Sequence, residues 1–330
     1  MDAVFLSSGD LIADRRSHYA QMLAGGGAFA AAAELMAQAL ESAPDWAAGW
    51  MMLGGYWHEA GDTGAAIKAW QRAAALDPAG TLGAQMRLAA HGIAEVETGA
   101  QNAYVEALFD AYAKSFEQAL VEKLDYVVPG RLAGLIAATM GELGISGFAR
   151  ALDLGCGTGL MGERVRKHVS HLEGVDLAAG MVAETARKGI YDAVRQGELL
   201  SYLGTVRGGV DLITAADVFL YCGDLAPIFA AAFGVLAPGG LLVFSLEKHA
   251  GAEACVLQAS LRYAHGRGAV EEGLRSAGFD CLQIAEDTIR TDRGQPVTGL
   301  LFVARRPAGD SFEVVVGDAS GTGEGAPVLN

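Results

Sequence analysis

Long apolar runs are missing from this chain, as are paired cysteines and clusters of basic residues. No stretch reaches the roughly 18 apolar residues that a membrane-spanning helix needs. The four cysteines, Cys156, Cys222, Cys255 and Cys281, lie far apart and form no CxxC pair. That spacing argues against both a zinc ribbon and a disulfide framework, and it suits a reducing compartment. Lys and Arg number 24 against 39 Asp and Glu, a formal net charge of -15, and the bases are scattered. Such a surface repels phosphate backbones, so nucleic acid is not the expected partner. The opening MDAVFLSSGD has no basic region followed by an apolar run and a cleavage site. The expectation is a cytoplasmic protein with no membrane anchor and no metal.

What is present is apolar and small. Half of the 330 residues are apolar, 52%, and 45 are glycine. That length suits two domains. The first hundred residues are Ala-rich and read as helices. Trp50, Leu53, Gly54, Trp57, Gly61, Ala66, Trp70, Ala73 and Pro78 fall at the offsets of a helix–turn–helix repeat of about 34 residues, the tetratricopeptide pattern. Asp62 is placed to cap the second helix and Pro78 to stop it. A weaker copy lies upstream at Gly27, Ala32, Met36, Ala39 and Pro44. Such a unit either binds a partner or simply caps the fold.

From residue 150 short apolar runs alternate with helical stretches: 151–154, 172–175, 193–196, 210–215 and 241–246. This is the signature of βαβ units and a parallel sheet. Two later runs, 281–285 and 297–304, are joined by a polar turn containing Gly294 and Pro296, and read as a closing antiparallel hairpin. After Pro307 the chain is rich in Gly, Ser and acids and has no Lys or Arg, so 309–330 is expected to be a disordered acidic tail.

The central motif is Ala151-Leu152-Asp153-Leu154-Gly155-Cys156-Gly157-Thr158-Gly159-Leu160. An apolar strand runs into three alternating glycines and then a helix. That arrangement bares backbone N–H groups and lets a ligand approach without a Cβ in the way. Seventeen residues after Gly159, the strand Leu172–Val175 ends in Asp176, an acid suited to both ribose hydroxyls of an adenosine. Two cofactor classes share this pattern, since Gly157 to Gly162 also spells the GxGxxG of dinucleotide sites. Asp153 favours S-adenosylmethionine over NAD, because a carboxylate there suits a cationic amino group and repels a pyrophosphate. The late position of the motif in the chain points the same way.

Several further segments match a known pattern: Phe109-Asp110-Ala111-Tyr112-Ala113-Lys114-Ser115-Phe116, Gly174-Val175-Asp176-Leu177-Ala178-Ala179-Gly180-Met181, Asp211 to Val218, Leu236-Ala237-Pro238-Gly239-Gly240, and Arg262-Tyr263-Ala264-His265. With them, residues 106–305 resemble a class I methyltransferase that uses S-adenosylmethionine. The whole chain resembles bacterial predicted tetratricopeptide-repeat methyltransferases. The resemblance implies a doubly wound α/β fold with a seven-stranded mixed sheet, preceded by an all-α helical-repeat unit. The implied domains are 1–105, 106–308 and the tail 309–330.

The resemblance also implies roles. Asp153 with Gly155, Cys156, Gly157 and Gly159 would hold the methionine end, as would the backbone of Ala215 and Ala216. Asp176 would hold the ribose. Leu177 and Met181 would pack near the adenine, Glu198 would accept from its amino group, and Leu199 would offer an N–H. Tyr112 and Phe116 resemble an aromatic lid. No Asp/Asn-Pro-Pro-Tyr/Phe segment follows the fourth strand, which argues against amines on nucleic-acid bases and glutamine amides.

Methyl transfer relies on alignment, and a base is needed only for a protonated nucleophile. Asp217 and His265 are the catalytic candidates, with Tyr221, Glu247 and His249 nearby in sequence. Arg262 and Arg267 suit either a carboxylate substrate or surface ion pairs. The sequence therefore predicts methylation of a small-molecule hydroxyl, carboxylate or amine. A protein side chain recruited by the repeat unit comes next. An NAD-dependent oxidoreductase and a non-catalytic adaptor are the rivals from other classes.

Overall fold

The computed structural model describes residues 7–113, 126–292 and 294–308. The N-terminal part is all helical. Helices α1 (Leu11–Gly25) and α2 (Phe29–Ser42) form one hairpin, α3 (Ala47–Glu59) and α4 (Thr63–Leu76) a second, and α2 packs on α3. Helices α2 and α4 are equally long, and their starts at Phe29 and Thr63 are 34 residues apart. Asp10 and Asp62 cap α1 and α4 by accepting from backbone N–H groups one turn in. Small residues let these helices approach closely: Ala13, Ala20, Ala32, Ala33 and Ala39 are fully buried around Met36. At Gly54 even a methyl group would be excluded, since a Cβ there would lie 2.3 Å from the Trp70 indole nitrogen. The helices α5 (Ala84–Ala90) and α6 (Thr98–Tyr112) then lead to the next unit. The expected boundary at 105/106 falls inside α6, which runs unbroken across it.

After α7 (Val128–Leu143) the α/β part begins. Its strands are β1 (Phe148–Leu154), β2 (Val169–Asp176), β3 (Ala193–Gln196), β4 (Val210–Ala215), β5 (Leu236–His249), β6 (Cys255–Leu257), β7 (Tyr263–Gly266), β8 (Asp280–Asp292) and β9 (Gln295–Arg305). The helices between them are α8 (Leu160–Val165), α9 (Ala179–Lys188), α10 (Leu199–Thr205), α11 (Ala226–Val235) and α12 (Arg267–Ser276). Strands β3, β2, β1, β4 and β5 lie side by side and parallel. The hairpin β8–β9 adds antiparallel to β5 through β9.

The sheet has nine strands where the sequence suggested seven. The last residues of β5, Glu247–His249, run beyond the end of β4, whose pairing stops at Phe244, and offer that edge to β7, which β6 then flanks. Those two strands span three and four residues, too short to show an apolar alternation.

Both faces are covered, as an interior parallel sheet requires. Leu152, Leu154, Ile213, Phe244 and Phe302 form one core with α10 and α11. Ala151, Leu172, Leu212, Val243 and Val303 form the other with α7 and α8. The rings of Phe244 and Phe302 stack at 5.0 Å across β5 and β9. Connections from β1 go to β2 on one side, and β4 arrives on the other. This reversal opens a crevice at the carboxyl ends of β1, β2 and β4, where such folds bind ligands. Among the described residues no helix is long and apolar enough to cross a membrane.

Candidate functional site

A cavity of about 520 Å³ occupies that crevice, within the range of small-molecule and cofactor pockets. Its floor is the loop between β1 and α8. Gly155 and Gly157 both take positive φ, 58° and 54°. A Cβ on Gly155 would lie 2.4 Å from Val218, so this turn excludes every other residue type on steric grounds as well as torsional ones. Asp176, at the end of β2, closes the loop. Its carboxylate accepts from the N–H of Gly157 at 2.8 Å and of Ala178 at 2.9 Å. Burial pushes its pKa up, against the pull of those N–H groups. Leu177, Glu198, Leu199, Cys156 and Ala216 share the wall. Both Glu198 oxygens cap α10, accepting from the N–H groups of Leu200 and Ser201 at 3.0 and 2.7 Å.

The structure moves several expected residues off the wall. Asp153 is 1% exposed beneath the loop. The hydroxyls of Thr214 and Tyr191 each donate to it at 2.6 Å, in place of the expected cationic group. Burial raises its pKa to about 6, with both hydroxyls opposing the rise. The reason is the pleat: Asp153 lies on the same sheet face as Ala151, toward α7 and α8. Tyr191 also accepts from the N–H of Gly162 at 3.1 Å and thereby ties Asp153 to α8. Gly159 is the N-cap of α8, and Ala215 is buried within β4. Met181 is fully buried with Ala178, Ala113 and Phe109. Tyr112 is half exposed, while Phe109, one turn earlier on α6, is the aromatic on the wall. It meets Tyr221 edge to face at 5.5 Å. Phe116 lies outside the described residues.

At the other end stands a buried ionic cluster. Asp217 is on the wall, in the left-handed region at φ 56°. Its N–H donates to the Ser245 hydroxyl at 2.8 Å, and that hydroxyl donates back to Oδ1 at the same distance. Arg290 donates to Asp217 Oδ2 at 3.2 Å and to Glu247 Oε1. Burial raises the Asp217 pKa, and the Arg290 charge opposes it. Arg262 reaches Glu247 at 3.8 Å and the Tyr221 hydroxyl at 3.4 Å. His265 is off the wall and 3% exposed, and burial holds its pKa down at about 4. It is a neutral ring beneath the loop at Cys222 and Gly223, a different place from the one expected of a catalytic base. His249 pairs with Glu253 and Arg267 with Glu271, both away from the cavity.

Sequence reasoning missed Arg290, Tyr126 and Gln101, all on the wall. Gln101 donates to the Tyr221 carbonyl and accepts from the Tyr263 hydroxyl at 3.4 Å, which latches α6 over the cavity. None of the three belongs to a motif, and only the tertiary fold brings them here.

Residues 152–244 match the family model described as a methyltransferase domain. The biotin biosynthesis bifunctional protein BioHC of Saccharophagus degradans is 31% identical over 140 residues, 40% of this chain and 24% of its own. The ubiquinone biosynthesis O-methyltransferase of Psychrobacter cryohalolentis is 31% identical over 112 residues, 32% of this chain and 42% of its own. The malonyl-[acyl-carrier protein] O-methyltransferase of Serratia marcescens is 29% identical over 147 residues, 43% of this chain and 51% of its own. The chain thus spans about a quarter to a half of the length of these curated relatives. Among solved structures, the magnesium protoporphyrin IX methyltransferase of Synechocystis with bound SAM has a TM-score of 0.48 at 16% identity, covering 64% of this chain and 99% of that one. The loop of bare backbone after β1 and the acid after β2 both lie within residues 152–244, the segment similar to the methyltransferase-domain model.

Proposed function

We propose that this protein transfers a methyl group from S-adenosylmethionine to a small-molecule acceptor. The observation that carries the reading is the cradle at Gly155–Gly157, where a Cβ would collide with Val218, set against the Asp176 carboxylate at the mouth of the cavity. The residues present fit the cofactor. Asp176 has two oxygens at the rim for ribose hydroxyls, the glycine loop leaves room for the methionine end, and Leu177 and Leu199 give an apolar slot for an adenine between Asp176 and Glu198. When bound, the cofactor supplies a sulfonium-activated methyl group, so the chain's task is alignment and exclusion of water. The α6 helix contributes to that task by closing the cavity with Phe109 and the Gln101 latch. Asp153 and Tyr191 hold the loop from below.

The helical hairpins, with α2 and α4 34 residues apart, support a tetratricopeptide-like unit over 1–105. The methyltransferase unit spans 106–308 and the acidic tail 309–330, in a cytoplasmic protein. The sheet face of the cavity comes from the second unit and its cover from α6, so the helical unit is part of the site. That placement also keeps a protein acceptor, recruited by the hairpins, as the second reading.

Calorimetric titration with S-adenosylhomocysteine tests the proposal. Micromolar binding is the expected result. Tight NAD binding in its place would make the protein an oxidoreductase, and no nucleoside binding would leave a non-catalytic adaptor. Radiolabelled cofactor incubated with cell extract then separates a small-molecule acceptor from a protein one.

A further inference from the structure

We propose that the outer face of α1 is a dimer interface, on which a second copy of this chain lays its own α1 antiparallel. The inner face of α1 is accounted for: Ala13, Ser17 and Ala20 are buried, α2 packs alongside, and Ser17 and Gln21 reach Met52 of α3. The outer face is not. Leu11, Ile12, Tyr19, Met22 and Leu23 are 37–86% exposed, and they are five of the nine large apolar side chains that stand exposed among the described residues. At 3.6 residues per turn they share, with Arg15 and His18, one arc of about 140°. Singly exposed apolar residues are ordinary, whereas a contiguous apolar stripe marks an interaction surface.

The spacing selects the occupant. Leu11 and Leu23, Ile12 and Met22, and Arg15 and Tyr19 are each equidistant from Ser17. A two-fold axis at the level of Ser17 therefore sets Leu11 against Leu23 of the other copy, Ile12 against Met22 and Arg15 against Tyr19. Apolar groups meet apolar groups, and a guanidinium meets a ring. Such self-complementarity is what an isologous contact requires. Charge points the same way. The chain carries -15 and repels its copies over most of its surface. No carboxylate of α1 or its cap lies on this arc. Asp14 sits on one flank, where Ser7 and Ser8 donate to it, and on the other Arg16 donates to the Gln38 carbonyl. Ser7 and Ser8 also line a hollow with Pro44, Trp46 and Asp77, so the chain reaches α1 from the side of α3 and α4, away from the stripe. The paired stripes would bury on the order of 1,000 Å², the lower bound of a specific interface, which suits a micromolar, reversible dimer. Helices α1 to α6 pack in chain order, so the pairing leaves α6 and the cavity beneath it free.

Sedimentation velocity of the full chain from low to high micromolar concentration tests the proposal. The expected result is a reversible rise in mass from 34.1 kDa towards twice that value. Ile12→Glu buries a carboxylate against Met22 and should weaken association at least about tenfold, as should Met22→Lys. The double substitution Ile12→Glu with Met22→Lys should restore it, because position 12 of one copy meets position 22 of the other. Within one helix the two are ten residues apart and cannot pair. Leu11→Gln, at the most exposed of these positions, is a second way to weaken the contact without touching the fold. Thermal melting followed by circular dichroism should stay at the wild-type value in every variant. A wild-type chain that remains monomeric throughout overturns the proposal, whether residues 1–6 or a partner of other chemistry covers the stripe instead. A dimer that ignores the single substitutions, or that the double substitution fails to restore, overturns it as well. None of these outcomes depends on the cofactor.

Discussion

The two ends of the cavity are built in opposite ways. The cofactor end comes from one run of chain, Gly155 to Leu199, joined by Ala216 just after β4. The opposite end gathers Gln101 and Phe109 from α6, Tyr126 before α7, Asp217 and Tyr221 after β4, Arg262 before β7 and Arg290 from β8. The first end is mostly backbone, shaped by glycines and two acids near in sequence. The second is side chains held by other side chains, with Arg290 at its centre. A local design of this kind makes a cradle that tolerates little change in its glycines. A convergent design makes a site whose members depend on one another, and also on the stability of the fold.

The largest expected break of that comparison is Arg290→Met. It leaves Asp217 and Glu247 buried with, among the described residues, no adjoining cation except Arg262, 3.8 Å from Glu247. Breaking a buried pair in this way costs about 3–5 kcal/mol, so chemical denaturation should show a large loss of global stability. A change below about 1 kcal/mol would mean the cluster is solvated and independent of the fold.

His265 supports the same end from below, through pH. Its folded pKa, about 4, lies under the 6.5 of an ordinary histidine because burial disfavours the charged ring. The unfolded chain therefore binds the extra proton first, and stability falls as pH drops from about 6.5 toward 4. Asp153, raised to about 6, works in the opposite direction over part of this window. The difference between wild type and His265→Gln isolates the histidine. It should shrink by about 3 kcal/mol from pH 7 to pH 4, by denaturation at each pH. A pH-independent difference would show that the ring is solvated.

At the cofactor end, Gly155→Ala meets both a φ of 58° and a 2.4 Å contact with Val218. Strain and overpacking together should cost about 2–3 kcal/mol. Nucleoside affinity, by calorimetry, should fall accordingly while the ionic cluster around Arg290 survives. The smallest effect is Asp176→Ala, which removes charge-assisted acceptors and should weaken nucleoside binding by about 1–3 kcal/mol. Unchanged affinity would mean that the ribose lies elsewhere.

Legibility followed the same division. The order of βα units, the glycine loop and Asp176 could be read from the chain because each depends on neighbours within a few residues, whereas Leu177, Glu198, Leu199 and Ala216, which line the cavity, were pointed to by the family resemblance alone. Asp153 was found as a residue, but its partners were not, since the strand pleat turns its carboxyl group toward Thr214 and Tyr191, which are distant in sequence. Tyr112 was chosen over Phe109 because helical phase on α6 is set by packing against α9, where the Asp110 carboxylate accepts from the Gly180 N–H at 2.7 Å. His265 was singled out as a catalytic candidate in the Arg262–His265 segment, yet whether it faced the cavity or the core depended on β7 pairing with β5 and β6, and β6 and β7 are too short to announce themselves.

By itself the amino-acid sequence determined the alternation of strands and helices, the helical hairpins that precede them and the bare cradle after β1, because periodicity, capping and glycine torsions are local properties of a chain. The tertiary structure alone decided which cation meets which carboxylate, that α6 covers the cavity, and that Arg262 and Arg290 share one end of it. Those outcomes depend on the register of β5 against β7 and β9, a long-range pairing energy summed over many weak contacts that no short segment encodes.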